Sequence, residues 1–100
     1  MSTIKELQER AMANKITHGF NTTNVELEFV LTYGELGEAF EAWRKKKDDL
    51  GEELADAAIY LMGIAEILGF DLGEEIEAKM AKNEKRNYVR EDGVLIRKED

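Results

Sequence analysis

The chain has no cysteine and no proline in its 100 residues. Without cysteine there can be no disulfide, no zinc–thiolate centre and no thiol chemistry. Without proline nothing of that kind interrupts a helix. Basic residues are also in short supply: 14 lysines and arginines face 22 aspartates and glutamates, for a formal net charge of −8. Broad, nonspecific nucleic-acid binding needs a basic surface, so no nucleic-acid partner is expected. A phosphate ligand stays possible if metal ions mediate the contact. There is no apolar run long enough to span a bilayer and no signal peptide. A soluble, cytoplasmic protein with no membrane partner is therefore expected. One hundred residues suit a single domain that buries about two-thirds of its unfolded surface.

What is abundant is alanine, leucine, glutamate and lysine, which favours helix. The spacing predicts four helices. The first runs from Ile4 to about Ile16, with Thr3 and Glu6 at capping-box spacing and Ile4, Leu7 and Ala11 inward. Lys15 lies near the end of that face. The link from His18 to Asn24 is rich in turn formers, and His18, the only histidine, is either solvated or a ligand contact. The second helix is expected to start after Thr23, which has capping-box spacing to Glu26, and to reach about Lys46. Trp43 near its end reads as a core or interface aromatic, or as a base-stacking platform. Lys45 to Asp49 is the turn. Asp49 with Glu52 is spaced to cap the third helix, Leu50 to Leu68; a spare metal contact is the alternative for Asp49. From Leu54 onward this helix is apolar nearly all round, a pattern of burial on every side. So small a chain has few helices to surround it, which predicts cover by another subunit. Gly69 is placed to terminate it. Asp71 with Glu74 starts the fourth helix, expected to continue to about Arg86, with Lys79, Asn83 and Arg86 on one face. In the tail, Asp92-Gly93 between β-prone residues signals a hairpin or short arm.

The chemistry concentrates between Gly34 and Asp56. Glu35 and Glu38 are three apart, as are Glu53 and Asp56, so on helices each pair shares a face. Each pair also lies on an apolar stripe: Leu27, Leu31, Glu35, Glu38 and Ala42 on one helix, and Glu53, Asp56, Tyr60, Ile64 and Ile67 on the next. Acids on an apolar face are costly unless paired or metal-bound. If the two helices pack back to back, four carboxylates converge and repel one another. A divalent cation resolves the conflict, and an all-oxygen set suits Mg²⁺ or Mn²⁺ rather than zinc. The bland alternative is a solvated acidic face at a helix end.

GELGE at 34–38, EELAD at 52–56 and DLGEEIEAKMAKNEKRNY at 71–88 together resemble the MazG-type all-α nucleoside triphosphate pyrophosphatases. The best-matched region is Leu31 to Tyr88. The family pattern is often written EExxE, a spacer, then ExxD. Here Gly34 stands where the first glutamate usually does, as it also does in dCTP pyrophosphatase-like members. The resemblance implies an all-α, four-helix MazG-like bundle with a short C-terminal hairpin or arm, assembled as a homodimer or homotetramer. It implies Mg²⁺ held by Glu35, Glu38, Glu53 and Asp56, with Mn²⁺ as a possible substitute. It also implies hydrolysis of a nucleoside triphosphate, often a dNTP, to the monophosphate and pyrophosphate. Tyr60 matches a nucleoside-contacting position, and Lys79, Asn83 and Arg86 match a KxxxNxxR element near the phosphates. Glu38 is the expected proton acceptor, and Lys79, Arg86 and Lys15 are expected to neutralise charge on the leaving group. The alternatives are a non-catalytic helical oligomerisation or interaction module, or a phosphoribosyl-ATP pyrophosphatase-like enzyme.

Overall fold

A computed structural model describes residues 1–98. Four helices precede a two-stranded hairpin: α1 Ile4–His18, α2 Val25–Arg44, α3 Leu50–Leu68, α4 Leu72–Glu84, β1 Asn87–Glu91 and β2 Val94–Lys98. The sequence thus folds as the expected four-helix arrangement with a C-terminal hairpin. α2 and α3 pack together as an antiparallel helical hairpin, α1 lies along α3, and α4 packs against α1. The molecule is elongated, 52 × 35 × 31 Å.

Small side chains let the helices approach closely. The buried apolar residues are Ala39 and Ala42 of α2 and Ala57, Ile64 and Ala65 of α3. Two polar side chains are more deeply buried than any of these, Gln8 and Glu28. Gln8 staples three elements. Its Nε2 donates to Glu66 Oε2 at 2.8 Å and to the Phe70 carbonyl at 2.6 Å, and its Oε1 accepts from the Leu72 amide at 3.0 Å. α1 is thereby tied to the end of α3 and the start of α4. Much of α2 and α3 stays open in the single chain; Leu36, Phe40, Leu54, Ile59 and Leu61 are about half exposed or more.

The helix ends follow local chemistry. At α1 the capping box forms, with the Glu6 amide donating to Thr3 Oγ1 and the Thr3 amide to Glu6 Oε1. The helix runs two residues past Ile16, to His18. At α2 the expected Thr23 cap does not form. Asn21 Oδ1 accepts from the Thr23 and Asn24 amides, and Asn24 in turn accepts from the Leu27 amide at 3.0 Å. The turn is thus built by Asn21, and the cap shifts one residue on. α2 stops at Arg44 rather than Lys46, because Lys46 takes the left-handed conformation, φ 55°. Asp49 does occupy the N-cap position of α3 but makes no capping bond, since its φ of −92° and ψ of 14° are not those of an extended cap. Gly69 closes α3 as expected, left-handed at φ 80°. Asp71 caps α4 by accepting from the Glu74 amide at 3.1 Å. α4 ends at Glu84, which leaves Arg86 just past its last turn. Trp43 is 61% exposed, so it is not a core residue of this chain. In the hairpin, Glu91 pairs with Val94 across Asp92 and Gly93. Both have positive φ, as a type I′ turn requires.

Candidate metal centre

The α2–α3 hairpin brings the acids of one helix opposite those of the other. Oxygens of Glu35, Glu38 and Glu53 all lie within 4.8 Å of one another. Glu35 and Glu53 are half-buried and Glu38 is exposed. The carboxyl of Glu35 is pushed up from its ordinary pKa by burial first, then by the charges of Glu38, Asp56 and Glu53. Glu53 is raised by burial, then by Glu38, Asp49 and Asp56, while Lys47 pulls the other way. Asp56 lies outside the tight trio but is close enough to act on both. The oxygen Glu53 Oε2 is buried with no hydrogen-bond partner. A buried, unpartnered carboxylate oxygen among like charges is costly. A divalent cation removes that cost, so the residues present fit an oxygen-liganded metal.

Tyr60 stands one helical turn beyond Asp56. Its phenol is pushed up by burial and then by Glu35, Glu28, Asp56 and Glu38. It therefore stays protonated near neutral pH and can donate to a ligand. Lys15 Nζ sits 5.6 Å from the Tyr60 ring centroid and pairs with the buried Glu28. Asp56, Tyr60, Lys15, Asn14 and Phe20 line a cleft of about 250 Å³. The expected substrate residues Tyr60 and Lys15 thus share one cleft with an acid of the site. His18 stacks on Phe20, with ring centroids 5.5 Å apart. Lys79, Asn83 and Arg86 lie elsewhere. Lys79 is pushed down in pKa by Arg86 first, then by burial, Lys82 and Arg97, a mark of clustered positive charge. α4 packs mainly on α1, whereas the acids stand on the α2–α3 pair, with which α4 makes little or no contact.

Comparison with protein families matches residues 23–98 to the MazG-like family. The chain belongs to that family. Among solved structures, it is similar to the cyanophage S-2L MazG-like pyrophosphohydrolase bound to dGDP and three catalytic Mn²⁺ ions per active site. The two are 27% identical with a TM-score of 0.72, and the match covers 99% of this chain and 100% of the other. A search of the curated proteins finds no match. The family match begins at Thr23, after α1, yet the structural match includes that helix.

Four residues of this MazG-like chain were not singled out for the site by sequence, or only weakly. Glu28, spaced like an ordinary first-turn glutamate, is almost wholly buried beneath Lys15. Asn21 Nδ2 donates to its second oxygen at 3.0 Å. Asp49 Oδ1 is buried without a hydrogen-bond partner and acts on Glu53. Lys47, read from sequence only as part of the Lys45 to Asp49 turn, lines the same cleft as Glu38 and Glu53. The available signal was weak: Glu28 is seven residues before Glu35 and thus on its face.

Proposed function

We propose that this chain is a nucleotide pyrophosphohydrolase that cleaves a nucleoside triphosphate between its α- and β-phosphates. The observation that carries the reading is the trio Glu35, Glu38 and Glu53, drawn within 4.8 Å with one buried oxygen left unpartnered, in a MazG-like fold. Glu35, Glu38, Glu53 and Asp56 would hold Mg²⁺ or Mn²⁺. Such ions, when bound, supply Lewis acidity to phosphate oxygens and lower the pKa of a coordinated water. Because the relative holds three Mn²⁺ ions, Asp49 is the adjoining carboxylate available to a larger cluster.

The chain's own residues divide the remaining work. Glu38, the exposed acid of the trio, accepts the proton of the attacking water. The water oxygen bonds to the α-phosphorus, the bond to the bridging oxygen breaks, and pyrophosphate leaves with that electron pair. Tyr60 contacts the nucleoside end, in the cleft it shares with Lys15 and Asp56, and Lys15 offsets charge on the leaving group. Lys79, Asn83 and Arg86 bind the phosphates and offset their charge. These three belong to a second copy of the chain in this reading, since α4 lies away from the acids of its own chain. The same assembly, a dimer or tetramer, would cover Leu54, Ile59 and Leu61.

The test is pyrophosphate release from a panel of nucleotides with Mg²⁺ or Mn²⁺. The panel includes dGTP because the similar enzyme binds dGDP. Wild-type protein should turn over at least one dNTP, and Glu53→Gln should lose most of that activity while still folding. Undiminished turnover in Glu53→Gln would refute the assignment. Either metal should also raise the melting temperature, since a ligand of the folded state alone stabilises it.

A further inference from the structure

The turn between α2 and α3 is built with care for what looks like a plain charge run, KKK at 45–47. Lys46 is left-handed at φ 55°, a conformation usually left to glycine or asparagine. The Lys46 amide donates to the Trp43 carbonyl at 3.1 Å, and the Lys47 amide to the Ala42 carbonyl at 2.8 Å. These are the two bonds of a Schellman closure. Ala42 is buried, so the closure fixes the Lys47 backbone to the rigid part of the hairpin.

The consequence is a difference between neighbouring lysines. Lys45 and Lys47 line a cleft of about 380 Å³ together with Gly34, Gly37, Glu38 and Glu53. Lys46 does not line it. At Gly34 and Gly37 a Cβ would meet nothing within 4 Å, so that wall of the cleft is open. Lys45 pairs with Glu41 at 3.5 Å. Lys47 makes no ion pair among the described residues, and its charge acts directly on Glu53. A cation beside the acid trio faces a specific need. A highly charged polyphosphate must enter the acidic site of an acidic protein, and the negative charge shifts to the leaving group as the bond breaks.

We propose that Lys47 binds the pyrophosphate end of the substrate, donating to a β- or γ-phosphate oxygen and holding the pyrophosphate as it departs. This rests on the pyrophosphohydrolase reading. A compact ammonium on a flexible stem serves as a point charge for phosphate. It supplies from within one chain a positive charge that α4 does not bring there.

The test is calorimetric titration of inorganic pyrophosphate into the full chain at saturating Mg²⁺, with melting temperatures read in parallel. Lys47→Gln should weaken pyrophosphate by about tenfold or more, the loss of one charge-assisted hydrogen bond. Lys46→Gln, the same charge change one residue away, should match wild type. Lys47→Arg should keep most of the affinity. Wild-type affinity in a folded Lys47→Gln would overturn the proposal, as would wild-type protein that fails to bind pyrophosphate. A Lys47→Gln protein that only binds Mn²⁺ more tightly would also overturn it, since Lys47 would then merely screen Glu53. These outcomes separate from the parent reading. If no nucleotide is hydrolysed, the activity falls; if hydrolysis stands but Lys47→Gln binds pyrophosphate like wild type, only the role of Lys47 falls.

Discussion

Glu53 is the residue where structure and chemistry pull hardest against each other. Burial and three neighbouring acids raise its pKa in the metal-free protein. A carboxyl raised on folding contributes stability that is present below its unfolded pKa and lost as pH rises through its folded pKa. Glu53→Gln removes that dependence. In the presence of a chelator, its melting temperature relative to wild type should therefore climb as pH rises across the carboxylate range. A flat difference would mean that Glu53 is solvated and unstrained. Glu28 poses the opposite case. It is 1% exposed and paired with Lys15, whose side chain is 13% exposed. Removing one partner of a buried pair leaves the other uncompensated, so Glu28→Ala should cost roughly 3–5 kcal/mol by denaturant titration. Removing both partners, as in Lys15→Met with Glu28→Leu, should cost much less. The acid pairs were legible because three-residue spacing on an apolar stripe is a helical signature. Glu28 was not, because burial of a charge depends on Lys15 and Asn21, which reach it from outside α2.

At the scale of elements, the four helices were legible from period and composition, and a hairpin or short arm from Asp92-Gly93 between β-prone residues. The ends were harder wherever a tertiary contact decided them. Thr23 lost its cap to Asn24 because Asn21 organises the turn, and Asp49 holds the N-cap position without bonding. The Gln8 staple is of the same kind. A glutamine on the first helix carries no sign that it will satisfy the Phe70 carbonyl and the Leu72 amide. Gln8→Leu should leave those groups short of partners, at about 1–3 kcal/mol for each buried group stranded. The loss should be local as well as global. Hydrogen exchange should accelerate first at the start of α4, since little else ties that helix to the rest. Uniform acceleration across all four helices would contradict the view that Gln8 holds α4 in place.

At the scale of the whole molecule, two observations meet. Apolar residues of α2 and α3 stand open, Leu36, Phe40, Leu54 and Leu61 among them, which is unusual for a chain that stays alone. The cationic cluster of Lys79 and Arg86 is gathered on an arm that one chain does not pack against its own acids. In the proposed assembly a second copy would answer both, burying the open faces and delivering the cations. The arrangement can be tested without a structure of the assembly. Glu53→Gln should inactivate the acid half of every site, and Arg86→Ala should inactivate the cation half. Each variant alone should be nearly dead. If each site takes its acids from one copy and its cations from the other, mixing the variants creates hybrids in which one site is intact. For a freely exchanging dimer mixed in equal parts, half the molecules are hybrids and half their sites are whole. Activity should then recover to about a quarter of wild type, as expected for a two-fold interface. If acids and cations act within one chain, no mixture can restore a complete site, and activity stays at the level of the separate variants. Light scattering on the same samples closes the argument, because a compact monomer at micromolar concentration would leave neither the open faces nor the distant cations with a partner.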